Sequence, residues 1–442
     1  MSHAKTLVES YFGVRYGELE IGGVPIGAIV REYGTPLYVY DSSVLEKKWS
    51  ALRAALPKRF AIFYSMKANP NQAIVRFFLN RGCGIEIASG GELHQALHAG
   101  CPPEQIVFAG PGKTPAELHQ ALTAGIEEIH VESLVEAQRI SAISRQLGRT
   151  ARVAVRVNPR QEVQGGAMRM GGKPAPFGID EEQLDPILEY IFSESHLQFT
   201  GIHLYIGTQI LQHAILIQQY RAGLEIACRI SQQFQQKVRT VDFGGGYGIP
   251  YFASEQPLDV AALGAGLASL MEEYGNHSAL CDTRFIVEPG RFLVGEAGIY
   301  IMQITDIKVS RGKKYLIVDG GMHHHLAASG NLGQVIRRNY PIALLNRIDA
   351  EPQETVNVVG PLCTPLDLLA SDVALPSADV GDYIGIFQSG AYARTASPHG
   401  FLSHPTPPEV WVEQQRASLV RKRGGHDGWL QDQCPLGDLG VQ

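Results

Sequence analysis

No run of about 18 apolar residues occurs anywhere in the chain, which excludes a membrane-spanning helix. The N-terminal stretch MSHAKTLVESYFG lacks the basic-then-apolar layout of a secretory signal, so a cytoplasmic protein is expected. Cysteine is scarce. Six residues (Cys83, Cys101, Cys228, Cys281, Cys363 and Cys434) are scattered over 442 with no CxxC spacing, which argues against a disulfide framework or a structural zinc site. Charge of one sign is also scarce: 38 basic against 44 acidic residues leave a net charge of -6, with no basic surface for nucleic acid. The local cluster Lys308, Arg311, Lys313 and Lys314 reads as a solvated strand edge. What the chain does have is apolar content, 45% hydrophobic residues, enough to bury a large core.

That content is patterned. Eight short β-branched segments recur: AIFYSMK (61–67), GIEIAS (84–89), IVFAGP (106–111), EIHVES (128–133), RVAVRVNP (152–159), FTGIHLYIGT (199–208), TVDFGGG (240–246) and RFIVEPG (284–290). Helix-like stretches such as AELHQALTAG and VEAQRISAISRQLG lie between them, and such alternation implies a parallel sheet. Eight units over this length match a (β/α)8 TIM-like barrel, expected at 36–290. After residue 290 the helical periodicity stops, and IYIMQITDIKVSR, KKYLIVDGG, ETVNVVGPLC, DYIGIFQSGAY and PEVWVE read as an all-β domain over 291–417, joined by residues 1–35. The Gly-rich polar segment 418–442 reads as a flexible tail.

Barrel enzymes place their chemistry at the C-terminal ends of the strands. There the sequence offers Lys67, exposed by a following Asn-Pro; Gly244-Gly245-Gly246, whose bare amides can wrap a phosphate; and Glu288-Pro289-Gly290-Arg291, a carboxylate and a guanidinium at the same mouth. Each alone has a plain reading: a solvated lysine, a tight turn, a surface ion pair. Together they supply an imine partner, phosphate donors and an anion for a pyridine nitrogen, the needs of pyridoxal phosphate.

YSMKANPN, ASGGELHQALHAG with IVFAGPGKT, DFGGGYG, VEPGR, GPLC and SGAYA follow one another as in the fold type III pyridoxal-phosphate decarboxylases, the diaminopimelate, ornithine and arginine decarboxylase group, which the chain resembles from about residue 20 to 415. The resemblance implies that Lys67 holds the cofactor covalently, that Glu288 faces the pyridine nitrogen beside Gly290, that Gly245, Gly246 and Tyr392 hold the phosphate, and that Arg291 holds phosphate or substrate. It further implies a homodimer with shared sites, in which Cys363 crosses the interface to donate a proton to the carbon that has lost carbon dioxide.

Two departures bear on the substrate. Tyr205 stands where the family has a ring-stacking histidine, and Thr208 replaces a serine; an aromatic still stacks. Thr364 follows Cys363 where the diamino-acid decarboxylases have an acid for the distal ammonium, so the substrate is expected to lack a free ammonium there. The stretches 165–180 and 318–341 resemble a subgroup of secondary-metabolism and exopolysaccharide clusters, one member of which decarboxylates glutamyl groups on an acyl carrier protein. The Gly- and Met-containing loop 165–180 is expected to act as a lid, and Arg337 with Arg338 to meet an acidic carrier or a substrate carboxylate. His323-His324-His325 is read as strand residues on alternating faces, hence no metal site. An amino-acid racemase of the same barrel class and a non-catalytic regulatory homologue are the rival readings.

Overall fold

The computed structural model describes residues 2–160, 168–169, 174–205, 207–334 and 336–434. The chain divides into two compact units: Lys48–Pro250 with Glu255–Leu293, and Met1–Lys47 with Tyr251–Ser254 and Val294–Gln442.

The first unit is a closed barrel of eight parallel strands: β1 (Phe60–Ser65), β2 (Gly84–Ile87), β3 (Ile106–Phe108), β4 (Glu128–Val131), β5 (Ala151–Asn158), β6 (Leu197–Leu204), β7 (Thr240–Asp242) and β8 (Arg284–Val287). Each pairs with its sequence neighbour, and β8 closes on β1 through Phe285 and Phe60. All eight coincide with the apolar segments of the sequence. Every residue of β2, β3, β4 and β7 is buried, the burial expected of a sheet covered on both faces. Crossover helices start on side-chain caps just beyond the strands. Ser89 accepts from the Glu92 amide, Ser133 from the Glu136 amide, and Thr114 forms a reciprocal capping box with Glu117. Within β6 the register shifts between Phe199 and Gly201, where any Cβ would overlap the Thr240 carbonyl, so only glycine lets β6 and β7 approach.

The second unit carries a nine-stranded mixed sheet around a core of Leu19, Ile21, Val39, Ile301, Val410 and Val412. Leu37–Asp41, expected within the barrel domain, lies here, antiparallel to Gly298–Ser310 and parallel to Glu409–Glu413. At the other end Arg416–Arg421 pairs with Glu409–Glu413, so the first residues of the expected tail form an edge strand. The reading of His323–His325 as strand residues is also corrected. Lys313–Val318 ends before Gly320-Gly321, and the three histidines sit in turns fixed by Asp367, whose carboxylate accepts from the Met322 and Leu362 amides at 2.6 and 2.9 Å. No helix of the described residues is long and apolar enough to cross a membrane.

Candidate active site

The barrel gathers its polar side chains at the C-terminal strand ends. β1 runs into a short turn, Met66–Ala68, that lifts Lys67 out of the wall, its side chain 40% exposed. Its Nζ donates to Glu86 Oε1 and Oε2 at 2.9 and 3.1 Å, and Ser65 Oγ donates to the same carboxylate at 2.5 Å. Among the described residues Lys113, the other lysine near these ends, is buried and committed to the Gly110 and His130 carbonyls and to Glu136. Of the two, the amine that reaches the open mouth is that of Lys67.

Across the mouth, the Tyr205 ring lies 5.8 Å from Lys67 Nζ and 5.7 Å from the Arg156 guanidinium. Arg156 is buried and paired with Glu132 at 2.7 Å. Burial pushes the Glu132 carboxyl up, but the Arg156 and Lys113 cations outweigh it and hold it below the ordinary range. Thr208, half-buried, belongs to a short strand, Gly207–Thr208, that pairs with Met168–Arg169. Of the expected lid over 165–180, residues 165–167 and 170–173 lie outside the described residues.

The glycine run does two different things. Gly244 and Gly246 adopt φ of +66° and +97°, positions that a side chain strains. Gly245 is required for space, since a Cβ there would lie 2.5 Å from the Glu288 carbonyl oxygen. The loop after β7 is thereby pressed against the loop after β8, and the Glu288 amide donates to the Gly244 carbonyl at 2.8 Å. Gly290 brings the eighth strand end against the Lys67 turn, its would-be Cβ 3.0 Å from Ala68 and 3.2 Å from Ser65. Arg291, half-buried, opens the short helix Arg291–Val294.

Beneath the mouth is a cluster that the sequence reading missed. The His130 and His203 rings stack at 4.2 Å; His203 Nε2 lies 3.4 Å from Glu288 Oε2, and His130 Nε2 lies 3.1 Å from Glu128 Oε1 and 3.9 Å from Asp242 Oδ2. All are buried, and Glu288 Oε1 accepts no hydrogen bond from the described residues. Burial, with His130 and Arg156 nearby, drives His203 well below the ordinary histidine range, so it is neutral. His130, His203 and Glu288 are close enough to suggest a cation site. The ring geometry argues otherwise: a metal must lie in the plane of each ligating imidazole, and two rings stacked at 4.2 Å and 25° do not share such a point. Glu86, His130, Arg156, His203 and Asp242 each left a signal in the sequence, a charged or imidazole side chain in a buried, mainly apolar strand, which needs a partner to be tolerated.

Cys363, Thr364, Arg337 and Tyr392 belong to the β unit. Cys363 is exposed and Thr364 half-buried, in a turn whose Thr364 amide donates to the Leu362 carbonyl at 2.8 Å. Tyr392 is half-buried with φ +53°. Arg337 donates to the Leu368 carbonyl, while Arg338 lies over the Phe252 ring at 3.4 Å; both are exposed.

Residues 42–295 match the family described as pyridoxal-dependent decarboxylase, pyridoxal binding domain. The chain is 37% identical over 405 residues to the L-glutamyl-[BtrI acyl-carrier protein] decarboxylase of Niallia circulans, covering 91% of this chain and 94% of that one. It is 35% identical to the diaminopimelate decarboxylase of Aquifex aeolicus, covering 94% and 96%. Among solved structures, the diaminopimelate decarboxylase of m. jannaschii in complex with L-lysine superposes with a TM-score of 0.89 at 27% identity, over 96% of this chain and 98% of that one.

Proposed function

The chain belongs to the pyridoxal-dependent decarboxylases, and from that premise we propose the residues that do its work and the kind of substrate it takes. It is a pyridoxal-phosphate enzyme that removes the α-carboxylate of an amino acid or an aminoacyl derivative. In our reading Lys67 Nζ carries the cofactor, and the glycine loop 244–246 with Tyr392 holds its phosphate. Tyr205 supplies the stacking face, and Glu288 Oε1 holds the proton on the pyridine nitrogen. The residues present fit the group: an amine at an open barrel mouth, a glycine loop that excludes side chains, and a buried carboxylate oxygen with no hydrogen bond from the described residues. That last oxygen is the observation that carries the assignment, because a buried charged acceptor without a donor is costly until a ligand supplies one.

Bound pyridoxal phosphate supplies an electron sink for the pair left behind by departing carbon dioxide. The chain's part is placement and proton control. Glu86 accepts two hydrogen bonds from Lys67 and aims its amine along the mouth. Arg156, tied by Glu132, presents a fixed cation beside the Tyr205 ring, able to attract a carboxylate. Arg291 is assigned to phosphate or substrate, and the exposed thiol of Cys363 donates the closing proton in a partner subunit's site. The reading thus includes a cytoplasmic homodimer.

The substrate's distal end is neutral or acylated, carried as a thioester on an acidic carrier protein that Arg337 and Arg338 face. Support comes from Thr364, which cannot pair an ammonium, and from the relative in Niallia circulans whose name specifies a glutamyl group on a carrier. The test measures carbon dioxide release from free lysine, ornithine and diaminopimelate against glutamyl and other aminoacyl thioesters on a carrier, for the native chain and for Thr364→Asp. Turnover of the thioesters, with a gain toward diamino acids in Thr364→Asp, is expected. Efficient turnover of free lysine or ornithine by the native chain overturns the substrate reading.

A further inference from the structure

Asp242 has no part in the assignments above except through its neighbours, yet it is as fully enclosed as any acid of the barrel. It is fully buried at the end of β7, in register with His203 on β6 and Ile286 on β8. One oxygen, Oδ1, accepts from the Gly244 amide at 2.8 Å and so anchors the glycine loop. The other, Oδ2, has no hydrogen-bond donor among the described residues. The groups around it are Glu128 and His130 on β4, His203 on β6 and Glu288 after β8, three carboxyls in all with two imidazoles. The single basic group within 4 Å of Asp242 among the described residues is His130, at 3.9 Å and already bonded to Glu128. The nearby cations are engaged elsewhere, Lys67 on Glu86 and Arg156 on Glu132.

Two buried carboxyls side by side, with no donor between them, cannot both be anionic, because like charges in a low-dielectric site repel and each lacks water. Asp242 Oδ2 and Glu288 Oε2 flank one stacked imidazole pair, 3.9 Å from His130 Nε2 and 3.4 Å from His203 Nε2 with the two rings 4.2 Å apart, and two carboxyls so enclosed hydrogen-bond to each other only when one holds a proton. Burial first, then Glu288, pushes Asp242 well above the ordinary carboxylate range. His203 refuses the proton for the same reason of burial.

We propose that Asp242 is a neutral acid whose Oδ2 proton is donated to Glu288 Oε2, leaving Oε1 for the pyridine nitrogen and making Asp242 the residue that orients Glu288 and steadies its negative charge. A carboxyl kept protonated by enclosure serves as a donor at neutral pH. Because Oδ1 holds the Gly244 amide, Asp242 links the phosphate loop to the pyridine partner through one side chain. Asp242 is a positioning residue: it acts through Glu288. The functional half of this inference rests on the assignment of Glu288 to the pyridine nitrogen; the location of the proton does not.

The experiment has two arms. Infrared difference spectra of the cofactor-free protein at neutral pH, with 13C-labelled aspartate, should contain one buried carboxylic-acid carbonyl stretch that shifts with the label and vanishes in Asp242→Asn. Absence of an aspartic-acid band at neutral pH, or a band that survives in Asp242→Asn, overturns the proposal. In the loaded enzyme, 15N NMR of labelled pyridoxal phosphate reads the protonation of the ring nitrogen. Asp242→Asn keeps a neutral donor and the Gly244 acceptor, so its nitrogen shift should match the native one. Asp242→Ala should move the shift toward the unprotonated form and lower kcat at least tenfold with KM changed less than threefold. An unmoved shift in Asp242→Ala overturns the positioning role. Glu288→Gln separates the two readings: if that variant also leaves the nitrogen shift unmoved, the assignment of Glu288 has failed, and the infrared band alone then decides for or against the neutral Asp242.

Discussion

Acid should unfold this protein earlier than its carboxylates would dictate, because four imidazoles of the β unit are held neutral. Burial pushes His323 and His325 down to about 3, His324 to about 2 and His399 to about 4, and neighbouring cationic or imidazole groups add to this at all but His325. In the unfolded chain each returns to an ordinary value near about 6.5. The folded values are depressed, so below about 6.5 the unfolded chain binds protons that the folded chain refuses, and stability, full above that pH, falls as the pH falls. One such proton is worth about 1.4 kcal/mol per pH unit. Four acting fully would give about 5, and halving for local relaxation around the rings leaves about 2–3 kcal/mol per pH unit across pH 6 to 4. Asp41, Asp319 and Asp367, raised by burial, work the other way, taking up protons in the folded chain first; their offset starts only as the pH nears their own raised values. Against a typical total of about 5–15 kcal/mol, the loss is decisive within a few pH units. Urea midpoints followed by tryptophan fluorescence, stepped from pH 7.5 to 4.5, give the slope. His323→Leu supplies the control: both His323 ring nitrogens are buried without hydrogen-bond partners among the described residues, so the leucine removes a titrating group and sacrifices no hydrogen bond. Stability that stays flat from pH 7 to 5, or a slope unchanged in His323→Leu, refutes the reasoning.

The Gly245→Ala variant should lose about 1–3 kcal/mol to overpacking, since its Cβ meets the Glu288 carbonyl at 2.5 Å, and should release cofactor on dialysis; an unchanged denaturation midpoint with full cofactor content contradicts the close approach. Mixing inactive Lys67→Ala with inactive Cys363→Ala chains should restore up to about a quarter of native activity at random exchange, because one of the two shared sites in each heterodimer regains both residues. No recovery despite proven subunit exchange would put both residues in one chain's site.

The barrel was legible because each of its strands is a short β-branched run bounded by glycine, proline or a polar cap, and pairing between sequence neighbours needs only local order. LYVYD (37–41) has the same composition, but its partners are at 298–310 and 409–413, and no local pattern reports a pairing that distant. SLVR (418–421), the larger part of the strand Arg416–Arg421, reads as polar tail because an edge strand buries little. At the site, Lys67, the glycine loop and Glu288 were visible because they punctuate strand ends. His203 and His130 were not, since they lie within mainly apolar strands that were read as core, and Asp242 was not, since it closes its strand just before the glycines that drew the attention. The three consecutive histidines misled for a related reason: a strand was assumed where Gly320-Gly321 breaks the chain and Asp367 folds it into a turn.

The central claim is that Lys67, and not another amine, carries the cofactor. Reduction of the loaded enzyme with borohydride, followed by proteolysis and mass spectrometry, locates the pyridoxyl group on a named residue. The account predicts a single adduct on Lys67, absent from Lys67→Ala together with the yellow imine absorbance. A stoichiometric adduct on any other lysine, such as Lys113, or an imine band that persists in Lys67→Ala, would contradict it.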